Sequence, residues 1–184
     1  GIGTSSRLVP AGRQDADGAW HLGVLVQANF GSRHHMVVNG VPVGREIVDL
    51  MPERGSPKQE SPGNSLLIVI ATDAPLLPVQ LQRLCRRAVL AMGRTGAVST
   101  HGSGDLAIAF STGNEVGPAA ADSLQVLHSS RMSWMHTAVV EATEEAILNS
   151  LTMATTMIGR DDNTIHALPL DRLLDVMGRY GRIG

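Results

Sequence analysis

The sequence places a serine at a sharp boundary between a polar segment and an apolar run. The run begins at Ser65, directly after Asn64, and its composition predicts a strand buried on both faces. If the Asn64-Ser65 bond were cut, Ser65 would carry both a hydroxyl and a free α-amine. The hydroxyl can attack a carbonyl, and the amine, with a pKa of about 7.7 to 8.0, can accept its proton near neutral pH. Ser65 is therefore a candidate N-terminal nucleophile, although a plain loop-to-strand junction fits the same residues.

A second candidate segment is His101-Gly102-Ser103-Gly104-Asp105, which comes just before a predicted strand. Its glycines let the backbone turn tightly and approach another group closely. If this loop meets Ser65, Ser103 could relay a hydrogen bond, and Asp105 could orient the amine or the hydroxyl. The same segment also fits an ordinary loop in which Asp105 caps local backbone groups.

The third candidate is Asn29, at the end of a predicted strand. Its side-chain amide could donate to an oxyanion that develops during acyl transfer. An asparagine in a turn is also unremarkable by itself, so the case for Asn29 depends on its proximity to the other candidates.

The elements that must position these side chains follow from the hydrophobic pattern. We predict strands over 5–10, 19–30, 65–71 and 106–112, and helices from the Asp73–Pro78 region to about 92, over 133–156 and over 169–177, with Gly93 as a helix terminator. Asn39-Gly40 predicts a type I′ hairpin turn. The Pro-, Glu-, Ser- and Gly-rich segment 49–64 predicts an exposed linker. Strands followed by mixed strands and helices indicate a layered α/β or α+β domain.

Composition narrows the class of protein. The 184 residues suit one domain, and 43 % hydrophobic content with only 3 % aromatic residues predicts a core of aliphatic side chains and methionine. A net charge of -2 and the lack of a basic stripe argue against nucleic-acid binding. Long apolar stretches are interrupted well short of about 18 residues, which argues against a membrane span.

The remaining chemical patterns are weak. The single Cys85 excludes an internal disulfide and a cysteine-based zinc site, and we expect it in a helix core. His34 and His35 would point to opposite faces of a strand, which is poor geometry for joint metal binding. The sequence Gly102-Ser103-Gly104 is too short for a nucleophile elbow and matches no phosphate-binding loop.

Several blocks in order along the chain resemble the DmpA-type aminopeptidases, a family that includes the L-aminopeptidase/D-amidase-esterases and the β-aminopeptidases. The blocks are Gly-Ile-Gly-Thr-Ser-Ser-Arg at 1–7, Val-Leu-Val-Gln-Ala-Asn-Phe-Gly at 24–31, Gly-Asn-Ser at 63–65 with Ala-Thr-Asp-Ala-Pro-Leu at 71–76, His-Gly-Ser-Gly-Asp at 101–105 and Glu-Glu-Ala-Ile-Leu-Asn at 144–149. The resemblance runs along nearly the whole chain.

The resemblance implies a precursor that cleaves itself before a serine, which gives α and β subunits. Carried over, Asn64-Ser65 is the cleaved bond, Ser65 the nucleophile, Ser103 and Asp105 its supporting triad, and Asn29 the oxyanion-hole asparagine. Some relatives have glutamate at the position of Asp105. No metal or organic cofactor is implied, and the implied substrates are short peptides, amides or esters with a free N-terminal amine. Homo-oligomers of αβ units are expected, and the cytoplasm is the favoured location.

The implied fold is an αββα four-layer sandwich of the N-terminal-nucleophile type, within the α/β class. Residues 1–64 would be the end of the α subunit, including the linker 49–64, and residues 65–184 the β subunit, both in one domain. Family precursors have further strands, pocket residues and a second oxyanion contributor before the Gly1 block, so we expect a partial sandwich that is inactive alone. Two alternatives stay open: a fold-related acyltransferase of the ornithine acetyltransferase kind, which uses threonine at the cleavage point, and a truncated homologue without catalysis.

Overall fold

The computed structural model describes residues 1–12, 18–53, 64–115, 117–118 and 123–183. A four-stranded sheet and two long helices form most of this part of the chain. The strands are β1 (Ile2–Pro10), β2 (Ala19–Asn29), β3 (Ser65–Thr72) and β4 (Leu106–Ser111), with a small pair β5 (Met157–Ile158) and β6 (Thr164–Ile165). The helices are α1 (Val43–Glu46), α2 (Pro78–Arg94), α3 (Met132–Thr152) and α4 (Leu170–Arg179), and short 3-10 turns occupy Arg33–His35, Ser129–Arg131 and Arg160–Asp162.

The four strands lie in the order β1-β2-β3-β4. The first three pair antiparallel, whereas β4 pairs parallel with β3 in the register that sets Leu67 opposite Leu106. A parallel neighbour requires a crossover between the strands, and α2 supplies it. The crossover also returns the chain to the end of the sheet at which β3 begins. The 95–105 loop therefore ends beside Ser65.

Both long helices pack on one face of the sheet. Helix α3 lies over β1 and β2, and α2 lies against α3 and β4. The alternating residues Leu66, Ile68 and Ile70 of β3 point toward these helices and are buried, as is required of a strand with one covered face. The other buried members of this core come from β2, α2 and α3: Leu22, Val24, Val26, Leu84, Ala88, Met92, Met135, Val139, Ala146 and Ile147.

The opposite face of the sheet is open and apolar within the described residues. The registers place Leu25, Leu67 and Leu106 on this face together, and Leu106 and Ile108 are 62 % and 58 % exposed. Further exposed apolar side chains on the face are Ile2, Leu8 and Phe110. We call this surface the open face. The prediction that β3 is buried on both sides is wrong for the described chain, because the helices cover only one side.

Contacts between β1 and α3 explain two of the sequence blocks noted above. The Asn149 side chain donates a hydrogen bond to the Thr4 carbonyl at 2.8 Å, and Ser5 and Arg7 donate to Glu145 at 2.8 and 2.6 Å. Arg7, the larger cause, and Ser5 hold the pKa of Glu145 below its ordinary value through these bonds. The 1–7 and 144–149 blocks therefore pack on each other as structural elements.

A second, smaller core joins α1 to α4. Its buried members are Val41, Val43, Ile47, Val176 and Met177. The hairpin predicted at Asn39-Gly40 is confirmed, because Val38 and Val41 exchange both backbone hydrogen bonds and the two central residues have φ values of 47° and 80°. Its flanking strands are reduced to this single bridge.

The predicted helices and strands match the observed ones, and the ends of several elements differ by a few residues. Helix α2 continues past Gly93 and ends at Arg94, because its last turn is closed by the backbone and hydroxyl of Thr95. His34 and His35 lie in a 3-10 turn rather than a strand. Within the predicted linker, Glu53 is exposed as expected, and its backbone exchanges hydrogen bonds with Thr164. Residues 54–63 of that linker, and 13–17 of the loop between β1 and β2, lie outside the described residues.

Candidate active site

Ser65 and Asn29 lie directly opposite each other at one end of the sheet. Ser65 is the first residue of β3 and Asn29 the last of β2, and the two are partners in the antiparallel register. Paired residues project from the same face of a sheet. Here that face is the open face, since Leu67 and Gln27, the next residues on the same sides, form a pair there. Both side chains are therefore accessible from the side that the helices leave uncovered.

The loop before β4 brings Gly104 against the Asn64-Ser65 bond. The Gly104 N–H donates to the Asn64 carbonyl oxygen at 3.1 Å, which continues the parallel β3-β4 ladder by one step. The same N–H lies 3.2 Å from Ser65 Oγ and donates to it as well. A Cβ at position 104 would come within 3.0 Å of Ser65 Oγ. A side chain here would crowd the hydroxyl, and glycine avoids this contact.

Asp105 joins the loop to the start of β3. Its Oδ1 accepts hydrogen bonds from the Leu66 backbone N–H and from the Ser103 hydroxyl, each at 2.9 Å. Its Oδ2 is buried and has no hydrogen-bond partner among the described residues. A carboxylate that accepts such bonds fixes the backbone beside the candidate nucleophile, and its unused oxygen retains capacity for one more donor.

The structure therefore brings the predicted residues together, but one expected hydrogen bond is absent. Ser65, Ser103, Asp105 and Asn29 come from three separate elements and meet at the same end of the sheet. Within the described residues, however, no hydrogen bond joins the Ser103 and Ser65 hydroxyls. Ser65 Oγ is contacted by the Gly104 N–H instead. Reasoning from the sequence treated Gly104 only as a flexible residue, and its glycine-serine-glycine context was the one available signal.

A small pocket of about 80 Å³ opens beside this cluster. Asn64, Ser103 and Asp105 form one wall. The remaining walls include Phe30, His35, Met92, Ala97 and Thr100. The pocket thus lies on the carbonyl side of the Asn64-Ser65 bond.

Other candidate chemistry is not supported in the described part of the chain. There, no three His, Cys, Asp or Glu side chains cluster in a way that could hold a metal ion. Cys85 is half-buried on α2, and burial raises the pKa of its thiol, which disfavours the reactive thiolate. None of the described helices has the length and apolarity to cross a lipid bilayer.

Comparison with known proteins identifies the family. The model of peptidase family S58 matches residues 1–165. The chain belongs to peptidase family S58. It is 41 % identical over 191 aligned positions to the β-peptidyl aminopeptidase BapA of Sphingosinicella xenopeptidilytica, with 96 % of this chain and 46 % of that protein covered. The resemblance noted in the sequence is thereby confirmed.

Two solved structures related to this S58 chain define the fold. The L-aminopeptidase D-Ala-esterase/amidase of Ochrobactrum anthropi, a variant of the Ntn hydrolase fold, matches with a TM-score of 0.89 at 35 % identity. A Burkholderia sp. β-aminopeptidase matches with a TM-score of 0.79 at 36 % identity. Each match covers the whole of this chain and 49 % or 50 % of the other. The predicted N-terminal-nucleophile fold class is confirmed, and the S58 chain spans about half the length of these relatives.

Proposed function

We propose that this chain carries the nucleophile and supporting groups of a self-processing serine aminopeptidase. The observation that supports this most directly is the junction at Ser65. There, the hydroxyl of a strand-initiating serine meets the Gly104 N–H, while Asp105 holds both Leu66 and Ser103. Membership of peptidase family S58 supports the same reaction class.

The first proposed step is self-cleavage. Ser65 Oγ attacks the Asn64 carbonyl carbon, the C–N bond breaks, and the hydroxyl proton ends on the Ser65 nitrogen, which becomes a free amine. Water then hydrolyses the ester, releasing the Asn64 carboxylate and restoring the Ser65 hydroxyl. Residues 1–64 would become the end of an α subunit, and residues 65–184 would lie in a β subunit.

Turnover then uses the groups that cleavage creates. The Ser65 α-amine, with a pKa of about 7.7 to 8.0, acts as general base for its own hydroxyl. The hydroxyl attacks the substrate carbonyl, and Asn29, on the neighbouring strand β2, donates a hydrogen bond to the oxyanion. Water then hydrolyses the acyl-enzyme. Ser103 and Asp105 position the serine.

The proposed substrates are short peptides, amides or esters with a free N-terminal amine. Relatives named as β-peptidyl aminopeptidase and as L-aminopeptidase D-Ala-esterase/amidase support this class and point to β- and D-residues within it. The small pocket lined by Asn64, Ser103 and Asp105 lies next to the proposed nucleophile and would take part of the substrate.

The proposed activity also needs cover for the open face. Leu106, Ile108 and Phe110 are exposed there, on the same face of the sheet as Ser65. In an αββα sandwich a second sheet packs on such a face, so we propose that the 184 residues alone are inactive and that αβ units assemble into oligomers. The isolated chain should therefore bind a hydrophobic dye.

Mass spectrometry under denaturing conditions tests the proposed function. In the protein of full natural length we expect a chain whose first residue is Ser65, and aminopeptidase activity that depends on it. Ser65→Ala should give an intact, inactive chain, whereas Ser133→Ala, a change of an exposed serine on α3, should behave as wild type. An intact wild-type chain without activity would instead indicate a non-catalytic scaffold.

A further inference from the structure

We propose that the backbone N–H of Gly104 is the oxyanion donor of the self-cleavage step, separate from the donor used in turnover. This inference rests on the proposed function, because it concerns the same bond. It assigns this task to a main-chain group rather than to a side chain.

The donor contacts both the attacking oxygen and the carbonyl oxygen that would become negatively charged. The Gly104 N–H lies 3.1 Å from the Asn64 carbonyl oxygen and 3.2 Å from Ser65 Oγ. When Oγ attacks the Asn64 carbon, negative charge develops on that carbonyl oxygen. An N–H at about 2.7 to 3.1 Å from the developing oxyanion is the arrangement that stabilises a tetrahedral intermediate. As the Oγ proton is transferred and the new C–O bond forms, the shared N–H can commit wholly to the oxyanion.

The loop holds this donor rigidly. Gly104 is followed by Asp105, whose carboxylate is bonded to the Leu66 N–H and to the Ser103 hydroxyl at 2.9 Å each. The Ser103 N–H is in turn bonded to the Thr100 carbonyl at 2.8 Å. These bonds fix the peptide on both sides of the donor before the reaction starts, so that little reorganisation is needed during attack.

Asn29 is less well placed for the same task in the uncleaved chain. It lies on β2 opposite Ser65, and β2 and β4 flank β3 on opposite sides. The Asn64 oxygen, by contrast, is engaged by the β4 side through Gly104. The two donors therefore approach the nucleophile from opposite neighbouring strands. We assign Gly104 to the Asn64 oxyanion and keep Asn29 for the substrate oxyanion.

An amide-to-ester replacement tests the donor without changing a side chain. Replacing Gly104 by glycolic acid in the protein of full natural length removes the N–H and keeps the space beside Ser65 Oγ. Self-cleavage should slow by about 100-fold, the usual effect of losing one oxyanion donor. Turnover per cleaved molecule, measured after slow cleavage has gone to completion, should change by less than about tenfold.

The matched control is glycolic acid at Gly102, in the same loop. Its N–H makes no hydrogen bond within the described residues, and a Cβ there would meet nothing within 4 Å. This variant should cleave at the wild-type rate. Wild-type cleavage in the Gly104 ester would overturn the inference, as would equal losses in cleavage and turnover. Neither result would affect the assignment of Ser65, which fails only if the wild-type chain is not cut there.

Hydrogen exchange gives a second measurement that needs no ester. In the uncleavable Ser65→Ala precursor the Gly104 amide should exchange slowly, because the Asn64 carbonyl still accepts it. Once the bond is cut and Asn64 moves away, in the cleaved wild type, the same amide should exchange faster. A Gly104 amide that exchanges freely in the precursor would overturn the inference.

Discussion

Asn29 and Ser65 form the last residue pair of the β2-β3 ladder, and both face away from the helices. Directly opposite residues in an antiparallel pair have Cβ atoms about 4.5 to 5.5 Å apart. The Asn29 amide is therefore within reach of a carbonyl that the Ser65 hydroxyl would attack in the proposed reaction. This relationship depends on strand register, because a slip of one residue would turn Asn29 to the helix-covered face.

Asn29→Ala should lower kcat for peptide hydrolysis by about 10²- to 10³-fold, since an oxyanion donor is removed. Self-cleavage should fall by less, because Gly104 is proposed to serve that step. Gln27→Ala is the matched control, as Gln27 is an exposed amide on the same side of the same strand. Steady-state kinetics on cleaved protein would check this, and an unchanged kcat would remove Asn29 from the site.

Asp105→Asn should keep the fold but slow self-cleavage and turnover by about 10- to 100-fold. Hydrogen bonds to a charged group contribute about 1.5 to 3 kcal/mol, and the variant loses the charge at nearly constant size. Asp175→Asn, which neutralises an exposed carboxylate on α4, should have wild-type rates. The measurement is the time course of chain cleavage together with kcat, and wild-type rates in Asp105→Asn would contradict the assignment.

The candidate site residues could be named from local sequence patterns, although an ordinary strand junction or loop fits each of these patterns as well. Ser65 begins an apolar strand, Ser103 stands between two glycines, and Asp105 follows the second glycine just before β4. Their meeting could not be derived from local pattern, because β3 and β4 pair in parallel through a long crossover that no short-range signal encodes. Only the family resemblance brought them together in advance. The contacts of Gly104 were missed for the same reason: a main-chain donor has no side chain to mark it.

The exposure of β3 was mispredicted for a different reason. An unbroken apolar run indicates burial on both faces, yet Leu67 is 39 % exposed in the described chain. The apolar residues of β3 allow packing on both faces of the sheet. The observed burial depends on which elements cover those faces, and the helices cover only one of them. The apolar open face and the unbroken apolar run thus both reflect the apolar side chains on both faces of β3.

Gly3→Ala should destabilise the fold, because a Cβ at this position would lie 2.0 Å from the Ala146 carbonyl oxygen of α3. Overpacking of this kind costs about 1 to 3 kcal/mol or more. Gly23→Ala on β2 is the control, since its Cβ would meet nothing within 4 Å. Thermal unfolding in the Ser65→Ala background should show a lower Tm for the first variant and no loss for the second. Equal Tm values would refute the close packing of β1 on α3.

Stability should fall in mild acid through His136. Burial, with the positive charges of Arg87 and Arg83, lowers the pKa of this side chain to about 4, and its Nε2 has no hydrogen-bond partner in the described chain. In the unfolded chain the pKa is about 6.5. Between these values the unfolded state binds the proton more readily, so the free energy of unfolding decreases as the pH falls.

His136→Gln removes this titration. The Tm of the wild type should therefore drop more than that of the variant between about pH 7.5 and about pH 5. Differential scanning calorimetry at the two pH values measures both drops. Identical drops would mean that His136 is protonated as easily in the folded protein as in the unfolded chain.

The proposed cut at the Asn64-Ser65 bond would turn the antiparallel pairing of β2 with β3 from a contact within one chain into a contact between two chains. Eight residue pairs, from Leu22-Thr72 to Asn29-Ser65, then join two separate polypeptides within one sheet. The uncut chain refolds as a unimolecular reaction, but the cut protein must first find its other half, so its apparent stability depends on concentration. The proposed self-cleavage would therefore have to follow folding, and a cut protein would refold after denaturation only as fast as its two chains associate.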